Sequence, residues 1–270
     1  MSDQRARGSA VERALVAVLV AAACAACSVE VPTTDAPGFV STPTASAPSD
    51  QSSSDGSAPA PSVSSPSTRQ PSPTRPSARP GSALAALSTL TVKGRAPMTG
   101  YSRAQFGGRW PDVDRNGCDT RNDVLRRDLT AIRFRGSSDC VVASGRLLDP
   151  YTGDVIDFVR GAATSSEVQI DHVVALGDAW QKGAARWTPD KRVRFANDPL
   201  NLLAVGGAVN QAKGDGDAAT WLPPRTAYRC AYVARQIAVK ATYGVSVTAA
   251  EREAMARVLS RCPAQPLPTR

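Results

Sequence analysis

Hydrophobic positions fall into two regimes along the chain. Beyond residue 84 they form short periodic runs separated by turn residues. Val124, Leu125 and Leu129 have the spacing of one helix face, which predicts a short amphipathic helix over 119–129. Two β-rich runs, 141–148 and 155–159, flank the turn signal Asp149-Pro-Tyr-Thr-Gly153 and predict a hairpin. The run Val-Gln-Ile-Asp-His-Val-Val-Ala over 168–175 reads as a strand buried at most positions, and 200–205 as a second short strand. Helical patterns cover 178–185, 190–196 and 208–213. Two longer ones, 227–243 and 248–261, predict a helical hairpin, the second opening on Thr248 with Glu251 in the capping-box position. Strands and helices do not alternate as βαβ units, so the fold class is α+β.

Before residue 85 the pattern changes. Arg5, Arg7 and Arg13 precede an apolar run over 14–26 that is too short to span a bilayer, the layout of a secretion signal over 1–27. The run ends Ala-Ala-Cys24-Ala-Ala-Cys27-Ser28, which resembles a bacterial lipobox. Lipidation at Cys27 would leave four cysteines, an even number, and would hold an exported protein at the outer face of the membrane. Residues 28–84 are dominated by Ser, Thr, Pro and Ala. They cannot bury enough apolar surface to offset ordering entropy, and the expectation is a disordered tether. The folded domain is expected over 85–270. In an exported protein the remaining Cys118, Cys140, Cys230 and Cys262 read as two disulfides. Spacing favours the local pairs Cys118–Cys140 and Cys230–Cys262, although three connectivities are open.

Charge narrows the partners. The first 84 residues carry as many acids as bases, so the formal charge of +8 belongs to 85–270. A basic exported domain points to polyanions such as nucleic acid or an anionic surface. His172 is the only histidine, which excludes any site that needs two.

The candidate chemistry lies on the two predicted strands and the helix after them. Asp171 and His172 interrupt an otherwise apolar strand, where each costs desolvation energy unless partnered. Asn201 opens the next strand, and Asn210-x-x-Lys213-Gly214-Asp215 follows a Gly206-Gly207 turn. This order resembles the HNH endonucleases, whose core is a ββα-metal finger. The wider run, from Val168 through Trp180, Phe195-Ala-Asn-Asp198, Asn201-Leu-Leu203 and Asn210 to Trp221-Leu-Pro223, resembles the branch at the C-terminus of GmrSD-type restriction enzymes. The resemblance covers about residues 101–262 and implies a finger core with an added N-terminal hairpin and a C-terminal helical hairpin. It implies that His172 is the general base, Asp171 and Asn210 ligate Mg²⁺ or Mn²⁺, and Asn201 pins the finger loop. It also implies that Lys213 contacts a substrate phosphate; Arg121, at the start of its helix, is a second candidate contact. The reaction implied is hydrolysis of DNA phosphodiester bonds with little sequence specificity. The alternatives are a nuclease acting on RNA and a non-catalytic surface lipoprotein on the same scaffold. Asp112, Asp114, Asn116 and Asp123 imitate part of an EF-hand loop. Asp119 stands where that loop has an apolar residue, and Asp123 where it has Glu. A disulfide-tied loop with Asp119 as helix cap accounts for most of the pattern.

Overall fold

The computed structural model describes residues 79–162 and 164–269. The expected signal sequence, Cys27 and the tether up to residue 78 lie outside the described residues. The elements run α1 (Ala83–Thr89), α2 (Thr120–Asp128), β1 (Thr130–Phe134), β2 (Val142–Leu148), β3 (Val155–Val159), β4 (Val168–His172), α3 (Leu176–Gln181), α4 (Pro189–Ala196), β5 (Leu202–Gly206), α5 (Gly207–Lys213), α6 (Arg229–Tyr243) and α7 (Ala249–Leu259). The architecture is mixed α+β, with a three-stranded sheet in the order β1-β2-β3 and a two-stranded sheet of β4 and β5, all antiparallel.

Two elements were not expected. β1 turns the predicted hairpin into a three-stranded sheet. Its residues are mostly exposed or half-buried, its register slips twice against β2, and Ala131 has φ 50°, so no clean alternation marks it. α1 straddles the expected edge of the tether. Its sequence Ala-Leu-Ala-Ala-Leu-Ser-Thr reads like the low-complexity segment before it, yet Ser82 caps it by accepting from the Ala85 amide, and Ala83 and Leu87 are buried. α3 starts two residues before the predicted helix and stops at Gln181. Gly183, at φ 140°, then turns the chain.

Both faces of the β4–β5 pair are covered. Val168, Ile170, Leu202 and Ala204 pack with Val124 and Leu125 of α2 and Phe158 of β3. Leu203 and Val205, on the other face, pack with Tyr151, Tyr232, Ile237 and Met255. Period-two alternation therefore sends Asp171 and His172 into different surroundings.

The disulfides are Cys118–Cys140, joining the start of α2 to the loop before β2, and Cys230–Cys262, joining α6 to the chain after α7. The second closes a loop of 32 residues around the helical hairpin. Serine at both Cys230 and Cys262 should lower unfolding free energy by about 2–4 kcal/mol in urea titrations. An unchanged midpoint would show that packing alone holds the hairpin.

A buried ionic cluster ties α3, α6 and α7 to the N-terminal segment. Lys182 contacts Asp178, Asp217 and Glu251 at 2.6, 2.8 and 2.6 Å, and Lys240 contacts Asp178 and Glu251 at 3.0 and 2.9 Å. Arg95 reaches Asp178 and Asp217 at 3.0 and 2.6 Å. Three acids thus face three bases. Burial pushes the Asp217 carboxyl up, but Lys182 and Arg95 outweigh it and hold the pKa at about 2. Arg95 also anchors the chain leading to residues 103–110, which cross over His172.

Candidate active site

His172 ends β4 and is 7 % exposed. Its Nε2 lies 2.9 Å from the Ala196 carbonyl oxygen, which can only accept, so Nε2 carries the proton. Nδ1 then has the free lone pair, and no hydrogen-bond partner for it is found among the described residues. The Trp110 indole lies nearly parallel to the imidazole, at 10° and 5.9 Å between centroids, and Arg103 sits over the indole at 5.8 Å. Gly107 brings this segment in. It has φ 88°, and a Cβ there would stand 2.8 Å from Val193 Cγ2. Trp110 itself holds the left-handed region at φ 53°, which is strained for a non-glycine residue.

Burial, then the Arg103 charge, lowers the His172 pKa to about 4. The ring is neutral at pH 7 and can accept a proton. In metal-free protein the single imidazole should titrate by NMR with a midpoint near 4; a midpoint at the ordinary 6.5 would mean that the ring is open to water. Because the folded pKa lies below the unfolded one, this group's stabilising contribution is complete above about pH 6.5. It is lost as pH falls toward 4.

Asn201 is fully buried and holds the chain just after His172. Its Oδ1 accepts from the Val174 amide at 2.8 Å, and its Nδ2 donates to the Val174 and Phe195 carbonyls at 3.3 and 3.4 Å. Phe195 precedes the residue whose carbonyl receives His172, so one side chain links both walls around the imidazole.

Asp171 faces the other way. Its Oδ1 accepts from Lys213 Nζ at 2.8 Å and its Oδ2 from the Tyr151 hydroxyl at 2.5 Å. Lys213 Nζ also donates to the His172 carbonyl at 2.9 Å. Asn210, half-buried, donates to Gln169 Oε1 at 2.9 Å. This placement changes two expectations. Lys213 is buried in an ion pair and does not reach a surface where a phosphate could meet it. Asp171 and Asn210 are oxygen donors of the right kind for a hard cation. As placed, however, they are not an open ligand pair, because both Asp171 oxygens are occupied and its charge is matched by Lys213. Among the described residues no three His, Cys, Asp or Glu side chains are grouped to share a metal ion.

The imitation EF-hand loop is closed on itself. Asp112 accepts from the Asn116 and Gly117 amides, and the Asn116 side chain donates to Asp114 and Asp123. Asp119 caps α2 by accepting from the Asn122 amide. Arg121 lies in a cleft beside the β4–β5 pair, where its Nη2 donates to the Ser165 and Val168 carbonyls at 3.2 and 3.0 Å. Tyr151, Trp110, Arg103, Arg109 and Arg160 were missed by the sequence reading. The interleaving of Arg103 and Arg109 with Phe106 and Trp110 was the available signal, a basic and aromatic stretch.

A family model for the C-terminal domain of GmrSD restriction endonucleases matches residues 119–258, which spans β4, β5, α5 and every residue of the His172 surroundings except those of the 103–110 segment. A protein of Arthroderma benhamiae described as an uncharacterized secreted protein is 43 % identical over 183 residues, covering 67 % of this chain and 85 % of the relative. The match covers more than half of the chain and includes the strand pair, the helix after it and the histidine. The chain belongs to the family of GmrSD restriction endonuclease C-terminal domains.

Proposed function

We propose that this protein is an exported HNH endonuclease that hydrolyses DNA phosphodiester bonds with little sequence specificity, and that β4, β5 and α5 are its ββα finger. The observation that carries the reading is His172: a neutral imidazole with one nitrogen tied to a backbone carbonyl and the other free, at the edge of an arginine-lined cleft. A secreted relative and the basic composition support export and a polyanionic substrate. Retention at the membrane through a lipid on Cys27 belongs to the same reading.

In the reaction, Nδ1 of His172 accepts a proton as water attacks phosphorus, the P–O3′ bond breaks to leave a 5′-phosphate, and the departing 3′-oxygen takes a proton from solvent water. The fixed Nε2–H bond to Ala196 keeps the ring in the tautomer this needs and receives part of the developing positive charge. Asn201 is a positioning residue that fixes the backbone on both sides of the ring. Arginine guanidiniums near His172 offset charge on the phosphate. The Asp171–Lys213 pair holds the His172 carbonyl from the opposite face of the strand. Mg²⁺ or Mn²⁺ is the cofactor implied by family resemblance. Asp171 and Asn210 do not fit it as they stand, so no step is derived through a metal.

The test is cleavage of supercoiled plasmid, single-stranded DNA and RNA with Mg²⁺, Mn²⁺ or EDTA. Nicking of plasmid is the expected result. Cleavage of RNA alone would replace DNA as substrate, and no cleavage of any of them by folded protein would leave the binding lipoprotein as the reading.

A further inference from the structure

Beside His172 lies a cleft of about 830 Å³ lined by Arg103, Arg109, Arg121 and Arg160, with Gln169 and Asn210 among its walls. Resting on the nuclease reading, we infer that this cleft holds one strand of nucleic acid, its successive phosphates running along Arg160, Arg121, Arg109 and Arg103 toward His172.

The first support is charge without neutralisation. The cleft lining contains four guanidiniums and no carboxylate. Among the described residues none of the four forms an ion pair, whereas Arg95, Arg127, Arg146 and Arg257 each have an acidic partner. Burial and the neighbouring Arg109 hold Arg103 below its ordinary pKa, and burial and the neighbouring Arg160 do the same to Arg121. Like charges gathered this closely are unfavourable until an anion joins them.

The second support is preorganisation. Arg121 donates to two carbonyls through Nη2 alone. Arg160 donates to the Val142 carbonyl through Nε and to Asn122 Oδ1 through Nη2. Each guanidinium is thus fixed by neutral acceptors on one side, with N–H groups left for a ligand. The side chains of Arg103 and Arg109 reach solvent and form no hydrogen bond among the described residues. They can close on a strand without breaking one.

The size of the cleft matches a short stretch of one strand. A volume of about 830 Å³ falls within the ~300–1,000 Å³ typical of small-molecule sites. That volume accommodates a few nucleotides of one strand.

The experiment measures fluorescence anisotropy of labelled oligothymidylate and of a duplex of equal length, in EDTA, over a range of salt. The proteins are the full chain, Arg103→Ala with Arg109→Ala, and Arg257→Ala as a remote control. The double variant removes no hydrogen bond seen in the fold, and circular dichroism checks that it is folded. Its affinity for the single strand should fall about tenfold or more, and its log–log salt slope should drop by about 1.4, at ~0.7 per phosphate contact. Arg257→Ala should match the parent. Unchanged affinity and slope in the double variant, or an equal loss in Arg257→Ala, would overturn the cleft assignment. Duplex binding as tight as single-strand binding would overturn the choice of strand. A gel of the same samples with metal added reports cleavage separately. A strand that binds through these arginines but stays uncut would uphold the cleft and refute the hydrolytic reading.

Discussion

Replacing His172 with alanine should lower the rate of plasmid nicking by about 10²–10⁴-fold, the usual contribution of a positioned general base. The loss should be nearly complete because the chain has no second histidine, and no other imidazole can take the proton. Folding should survive. The ring makes one hydrogen bond, to Ala196, and stacks on a Trp110 that is only half-buried, so its removal leaves one unpaired carbonyl at the edge of the site. The comparison requires circular dichroism and a melting curve beside the activity assay. Full activity in a folded His172→Ala protein would remove His172 from the mechanism. It would turn attention to the arginines of the cleft. Asp171→Asn is not an equivalent test of chemistry. It strips the counter-charge from buried Lys213, so its first effect is on stability, through the strand that carries His172.

The largest stability effect is expected at Lys182. Alanine there removes one of three positive charges from a buried cluster of three acids and three bases, and leaves Asp178, Asp217 and Glu251 with a net negative charge away from water. Breaking a buried pair in this way costs about 3–5 kcal/mol, a large part of a typical domain's total stability. Denaturant titration should show the midpoint falling without a comparable change in slope. Lys182→Met with Glu251→Gln should recover part of the loss, because it removes one charge of each sign and keeps the volume filled. If Lys182→Ala alone left the midpoint unchanged, the cluster would have to be hydrated rather than buried. The effect should extend to function. Arg95 belongs to the same cluster and precedes the segment that carries Arg103 and Trp110 over His172.

Much of the fold is legible in the sequence because local rules act strongly on it. α7 follows from Thr248 and Glu251, whose capping box is present in full. β2 and β3 follow from the turn at Asp149, where the Tyr151 amide and Thr152 hydroxyl donate to the Asp149 carboxylate. Short separations favour the two local disulfide pairs among three connectivities, and these are the pairs formed. β1 and α1 are different. β1 is short, only Ile132 and Phe134 turn toward the core and neither is fully buried, and it pairs along the edge that β2 offers. α1 has a tether-like composition, and it is helical because Ala83 and Leu87 find a surface at α6 and α7.

The candidate site divides along the same line. The sequence by itself determined that a single histidine, next to an aspartate, stands inside an apolar strand followed by a second strand and a helix with Asn and Lys. It also determined that the folded part is basic. Period-two alternation already separates Asp171 from His172. Only the tertiary structure decided what each of them meets. Asp171 falls on the face covered by Tyr151 and α6, where an isolated carboxylate is too costly, and it takes Lys213 as its partner. His172 falls at the other face's edge, where Ala196 fixes its proton and Trp110 and Arg103 close over it. Arg103, Arg109, Arg121 and Arg160 are dispersed among many other basic residues in the chain. They become one cleft because a disulfide, a turn at Gly107 and the packing of α2 against the β4–β5 pair bring them together. Contacts so distant in sequence leave no local pattern, since their energy exists only once the chain has folded.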